Sequence, residues 1–111
     1  MTKEQLREYI PLRRECKRME QRLHIIEQHP DAEKEIVEPL RAFYTEKLKE
    51  LVQAQLDIEH AIETLGPVER DLVRLRYLDG LSWHKVCAKI NYEWTQTHRI
   101  HSNALNKLGK L

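Results

Sequence analysis

A stretch near the C-terminal end of the chain, residues 94–103, is rich in side chains that hydrogen-bond to nucleic-acid bases. Glutamine and asparagine can form two hydrogen bonds with adenine, arginine can form two with guanine, and threonine can contact the thymine methyl group. If one face of a helix displays these side chains, they suit direct reading of base edges in double-stranded DNA. The candidates for base contact are Trp94, Thr95, Gln96, His98, Arg99, Ser102 and Asn103. The best of them are Thr95, Gln96 and Arg99, whereas Trp94 either stacks against backbone sugars or covers the preceding turn.

A second group of residues has the chemistry to bind phosphate. Lysine side chains and the free N–H groups at a helix N-terminus are common phosphate ligands. The candidates for phosphate contact are Ser82, Lys85, Lys89 and Lys107. For the three lysines, the alternative is an ordinary solvated helix face.

Positive charge is concentrated in the same part of the chain. Residues 66–111 contain 8 Lys/Arg and 4 Asp/Glu, a net charge of +4. Residues 1–65 contain 11 Lys/Arg and 14 Asp/Glu, a net charge of −3. This asymmetry favours a polyanionic partner for the C-terminal part, and its modest size suits a protein that binds as several copies or with a partner.

Three short helices must position these side chains. Asp79-Gly80 and Asn91-Tyr92 are turn-forming pairs that separate them. The first helix is predicted from Pro67 to about Leu78. The second is predicted from Trp83 to Ile90, with Ser82 as its N-cap. The third is predicted from Glu93 or Trp94 to about Leu108, ending at Gly109.

Apolar residues recur at helical spacing in each of these segments and predict their buried faces. The predicted core residues are Val68, Leu72, Leu75, Leu78, Val86, Cys87, Ile90, Thr97, Ile100, Ala104, Leu105 and Leu108. Tyr44, Tyr77 and Trp83 are predicted to be packing residues.

The first 65 residues predict two long helices. Thr2 with Gln5 resembles a capping box, so a helix should begin near Lys3, and Pro11 should kink it or begin its main part. A second helix should run from about Ala32 or Pro39 to Leu65, after the break at residues 29–32. The apolar seam of the first helix is Tyr9, Leu12, Cys16, Met19, Leu23 and Ile26, and that of the second is Val37, Tyr44, Leu48, Leu51, Ile58, Ile62 and Leu65.

Two such seams predict an antiparallel, coiled-coil-like helical hairpin over residues 1–65, followed by a DNA-binding domain over residues 66–111. The seams either bury each other within one chain or contribute to oligomerisation. We favour intramolecular packing with some oligomeric use, and Gln55 on the second seam would fix the helix register.

Composition and motifs exclude several other classes. The 111 residues are 33% charged and only 6% aromatic, which favours an all-α protein of two-sided helices over a thick α/β core. No phosphate-binding glycine loop, GxSxG or HExxH motif occurs, so we expect neither an enzyme nor a cofactor. His84-x-x-Cys87 with His98-x-x-His101 could supply four zinc ligands, but the spacing is not that of a common finger, and we expect no metal. No apolar run approaches membrane-spanning length, so we expect a cytoplasmic protein with no membrane partner and with Cys16 and Cys87 unpaired.

The C-terminal segment resembles region 4 of bacterial sigma factors. The resemblance lies in Leu75-Arg76-Tyr77, Asp79-Gly80, Leu81-Ser82 through Val86-Cys87, and Ala104-Leu105-Asn106-Lys107-Leu108. Trp83 after the capping serine and His101 before Ala104-Leu105 make it similar to small phage-encoded regulators of the RinA and ArpU type. The sequence departs from the pattern at Glu93, where a capping serine or threonine is usual, at Thr97 (usually valine) and at Cys87 (usually alanine).

The resemblance implies a three-helix helix-turn-helix and a phage or prophage transcription regulator, often an activator of late genes, in a bacterial host cell. Its partners would be double-stranded DNA, RNA polymerase and further copies of the chain. Two alternatives stay open. A small terminase-like DNA-packaging subunit also joins a helix-turn-helix to an oligomerising helical segment, and a sigma-like adaptor would bind RNA polymerase without reading bases.

Overall fold

The computed structural model describes all 111 residues, and every regular element in it is helical. A π-helical turn, Arg74–Leu78, directly continues the fourth α-helix. No helix has both the length and the hydropathy that a membrane span requires. The α-helices are α1 (Lys3–Arg7), α2 (Tyr9–Glu27), α3 (Lys34–Glu63), α4 (Pro67–Val73), α5 (Trp83–Ile90) and α6 (Trp94–Leu108).

The N-terminal helix begins with the predicted capping box. The Thr2 side chain accepts a hydrogen bond from the Gln5 backbone N–H, and the Gln5 side chain accepts one from the Thr2 N–H. Pro11 is the third residue of α2, where it has no N–H to donate and its ring crowds the carbonyl four residues earlier, that of Arg7. The helix accordingly breaks at Glu8, and α2 begins two residues before the proline.

Helices α2 and α3 pack as the predicted hairpin. The break between them spans residues 28–33, and Pro39 lies within α3 rather than at its start. Gln55 lies on the seam, where its Nε2 donates to Sγ of Cys16 at 2.6 Å. The hairpin core consists of Cys16, Met19 and Leu51, with Leu12, Tyr44 and Leu48 packed against it.

The chain divides into two compact units. The hairpin unit is Pro11–Gln55, and the C-terminal unit is Met1–Ile10 together with Leu56–Leu111. This division differs from the sequence boundary at residue 65, which follows helix patterns, because α1 and the last turns of α3 pack with the C-terminal helices. Leu6, which the sequence patterns did not single out, is fully buried in this unit.

Within the C-terminal unit, α4 packs against α5 and α6, and α5 packs against α6. The largest fully buried side chains are those of Leu6, Ile62, Leu72, Val73, Val86, Thr97 and Leu108. The predicted burial of Leu72, Val86 and Leu108 is confirmed. The predicted burial of Val68 is wrong, because its side chain remains 37% exposed.

The π-helical turn explains how this part of the core differs from the helical pattern. The backbone N–H of Asp79 donates to the carbonyl of Arg74, five residues earlier, at 2.9 Å. The extra residue in this turn rotates the side chains that follow it relative to an α-helical register. Tyr77 and Leu78, at the end of this turn, are buried, whereas Leu75 is only half-buried.

Candidate nucleic-acid interface

Helices α5 and α6 are joined by a short turn, and the residues that begin and end the two helices are identified by their backbone conformations and hydrogen bonds. Ser82 precedes α5, and its Oγ accepts a hydrogen bond from the Lys85 N–H at 3.4 Å. Asn91 ends α5 in the left-handed conformation with φ of 61°, which asparagine tolerates better than most residues. Glu93 precedes α6 in an extended conformation, and its side chain makes no capping hydrogen bond.

One face of α6 is buried and the opposite face is exposed. Thr97, His101, Ala104 and Leu108 form the buried face. The exposed face, which we call the recognition face, consists of Thr95, Gln96, Arg99, Ser102 and Asn103. Five of the seven base-contact candidates therefore share one exposed surface.

Trp94 lies at the N-terminal margin of the recognition face and is 49% exposed. Its ring centroid lies 5.0 Å from that of His84 on α5 and 4.5 Å from that of His98, one turn further along α6. The indole thus rests on two imidazole rings.

The position of His98 differs from the outward orientation expected for a base contact. Its side chain is half-buried, and Nε2 is buried without a hydrogen-bond partner. The physical reason is the ring of Trp83 on α5, 4.6 Å away, which covers the imidazole from the neighbouring helix.

These rings belong to a larger cluster that sequence reasoning did not assemble. Trp83 lies 4.6 Å from His101, and the guanidinium of Arg76 lies 4.8 Å from the Trp83 ring. Arg76 also donates to the carbonyl of Leu81 at 2.8 Å. The sequence signal was the spacing of three and four residues between Trp94, His98 and His101. The ring cluster consists of Tyr77, Trp83, His84, Trp94, His98 and His101.

At its buried end the ring cluster is held by a hydrogen bond between Tyr77 Oη and His101 Nε2, at 2.7 Å. Burial lowers the pKa of His101 from 6.5 to about 4, and the nearby charges of Lys3, His98 and Arg76 act in the same direction. Burial also raises the pKa of Tyr77 above its ordinary value of 10.0. Both groups are therefore neutral near pH 7, as a buried hydrogen-bonded pair should be.

The four phosphate-contact candidates have different surroundings. Lys85 and Lys89 are exposed on α5, and Ser82 is exposed at its N-terminus. Lys107 is exposed, but its Nζ lies 2.7 Å from Glu69 Oε1 on α4. This carboxylate offsets part of the charge that Lys107 would offer to a phosphate group.

The electrostatic character of this surface is set by an absence of carboxylates. Helices α5 and α6 contain no aspartate or glutamate. Residues 81–111 contain five Lys/Arg and a single acidic residue, Glu93. The recognition face therefore displays hydrogen-bonding groups and positive charge with no acidic side chain on its own helix.

The residues considered as zinc ligands are His84, Cys87, His98 and His101. The three histidines pack against tryptophan rings. No group of three or more His, Cys, Asp or Glu side chains is arranged to hold a metal ion. Cys16 and Cys87 are both free thiols.

Comparison with known proteins adds no assignment: no protein family, curated protein or solved structure matches this chain.

Proposed function

We propose that the chain is a non-enzymatic, sequence-specific regulator of transcription that binds double-stranded DNA. In this proposal α5, the turn and α6 act as a helix-turn-helix, and the stretch from about Trp94 to Leu108 lies in the major groove. The observation that carries the proposal is the recognition face, a polar helix surface without acidic residues, backed by a buried face that fixes its orientation.

The side chains of the recognition face have matching partners among the base edges. Arg99 suits the two acceptors of guanine, and Gln96 suits the donor and acceptor of adenine. Lys85 and Lys89 on α5 suit the flanking phosphates, which position the protein without reading sequence. Lys107 is a weaker candidate because Glu69 pairs with it.

The biological setting rests on the resemblance to phage-encoded regulators. It suggests a phage or prophage activator of late genes acting in the cytoplasm of a bacterial host. The hairpin unit would make the chain a homo-oligomer or contact RNA polymerase. Apolar side chains exposed on α3, such as Ile36, Leu40 and Phe43, support an interaction role for this unit.

The decisive experiment is selection of bound sequences from random DNA duplexes at two salt concentrations. We expect one enriched motif whose affinity falls as salt rises, because phosphate contacts release counterions. Binding without an enriched motif would contradict sequence-specific regulation. No binding at low salt would favour the adaptor that docks on polymerase. A solution mass that corresponds to a large ring would favour the packaging subunit.

Two substitutions then distinguish base contacts from phosphate contacts. Arg99→Ala should weaken binding to the selected motif by about tenfold or more and relax sequence preference. Lys85→Ala should weaken binding to all duplexes by the same factor, and this factor should be smaller than the loss caused by Arg99→Ala. Arg14→Ala, which removes an exposed charge from the hairpin unit, is the matched control and should leave the DNA affinity unchanged. Wild-type affinity and preference in both α5 and α6 variants would show that these helices do not bind DNA.

A further inference from the structure

Trp94 differs from every other exposed side chain on α6. The residues of the recognition face are polar, whereas Trp94 is a large apolar residue that keeps 49% of its surface exposed. It is also the first residue of the helix. In a helix-turn-helix the N-terminal residues of the second helix reach the base edges.

The indole is held in place from within the unit. His84 and His98 lie against it, Trp83 lies against His98, and His101 lies against Trp83. The hydrogen bond between Tyr77 and His101 connects this series of rings to the buried core. Such contacts reduce the conformational entropy that the side chain would lose on binding.

The chemistry of the major groove limits what a fixed apolar surface can recognise there. Base edges in this groove present hydrogen-bond donors and acceptors, and the one apolar group among them is the thymine methyl. Stacking between bases would require the indole to leave its two imidazole neighbours or a base to leave its stack, and either step costs free energy.

From this position, support and exposure we propose that Trp94 determines specificity by contacting the C5 methyl group of a thymine in the DNA site. This inference rests on the proposed function and adds one base preference to it. His98, whose ring lies against the indole, acts as a positioning residue.

The test replaces thymine by deoxyuridine, which removes the methyl group and leaves base pairing unchanged. Each thymine of the selected duplex is replaced in turn, and the affinities of wild type, Trp94→Ala and Tyr92→Ala are measured. Tyr92 is the matched control, because it is a similarly exposed aromatic residue just before α6 and is not part of the ring cluster. At one thymine, the replacement should weaken wild type and Tyr92→Ala by about three- to fivefold, the factor expected for one buried methyl group. The same replacement should leave Trp94→Ala unaffected.

A second substitution separates the methyl group from the rest of the base. At the sensitive position, a cytosine–guanine pair should bind wild type more weakly than a 5-methylcytosine–guanine pair, and Trp94→Ala should not distinguish them. Circular dichroism of Trp94→Ala should match wild type, because the side chain is half-exposed. If a motif is enriched but no thymine replacement distinguishes Trp94→Ala from wild type, the methyl contact is refuted and the proposed function stands. If no motif is enriched, both fail together.

Discussion

The hairpin unit and the C-terminal unit bury their apolar residues to different depths. Each of the fully buried side chains lies in the C-terminal unit, whereas the hairpin core residues Cys16, Met19 and Leu51 each keep 6–9% of their surface exposed. Two helices alone can only cover one stripe of each other, but helices that pack on several sides can enclose a side chain completely. The C-terminal unit therefore encloses its core more completely than the hairpin unit does.

The two units also distribute charge differently. On the hairpin unit, acidic and basic residues alternate and form exposed ion pairs three residues apart, as in Arg18–Glu15 and Arg41–Glu38. Such pairs contribute little stability, about 0.5 kcal/mol or less each, and leave no single-sign surface. Helices α5 and α6 contain no carboxylate of their own. Apart from Lys107, which pairs with Glu69 on α4, their positive charges therefore remain available to a partner.

The largest expected effect concerns the buried core. Leu72→Ala should lower the free energy of unfolding of the C-terminal unit by about 2–5 kcal/mol, because it opens a cavity at a fully buried position. Urea unfolding followed by tryptophan fluorescence measures this unit, since Trp83 and Trp94 both lie in it. Leu48→Ala, at a half-buried hairpin position, should cost roughly 1 kcal/mol by circular dichroism. Equal losses in the two variants would show that the units do not differ in packing.

An intermediate effect should appear on acidification. The pKa of folded His101 is about 4, below its value of 6.5 when unfolded, so the unfolded chain binds the proton more readily. The stability that His101 contributes is complete above pH 6.5 and is lost as the pH falls towards 4, with a slope of up to about 1.4 kcal/mol per pH unit.

His101→Gln isolates this contribution from that of the carboxylates. The variant should be less stable at neutral pH but should lose less stability between pH 6.5 and 4.5 in urea titrations. His29→Gln, an exposed residue in the loop between α2 and α3, should follow the wild-type pH profile. A parallel loss in wild type and His101→Gln would mean that His101 does not bind its proton more weakly in the folded protein.

The smallest expected effect tests the charge comparison. Ser102→Glu places a carboxylate on the recognition face and should reduce DNA affinity by about tenfold at low salt, with less reduction at high salt. Gln21→Glu makes the same charge change on an exposed position of the hairpin unit and should have no measurable effect on DNA affinity. Equal responses in a fluorescence-anisotropy titration would place the DNA site elsewhere. Helix content should be unchanged in both variants, since glutamate is a better helix former than serine.

The features that sequence predicted correctly are those governed by local chemistry. The Thr2 and Ser82 caps and the turns at Asp79-Gly80 and Asn91-Tyr92 depend on residues within a few positions of one another. The apolar seams of α2 and α3 were also predicted from sequence, because contact between two helices requires only periodic spacing of apolar residues. The exposed polar side of α6 followed from its buried residues in the same way.

The remaining features depend on contacts between residues that are far apart in the chain. No local sequence pattern indicates the packing behind three of these features. They are the burial of Leu6 in the C-terminal unit, the π-helical turn at Arg74–Leu78 and the burial of His98 beneath Trp83. Sequence by itself determined where α5 and α6 begin and end and which side of each is apolar, because caps, turns and periodicity act over one or two turns. Tertiary structure alone decided which histidines are enclosed and which aromatic rings remain at the surface, because only close packing in three dimensions excludes water from a side chain.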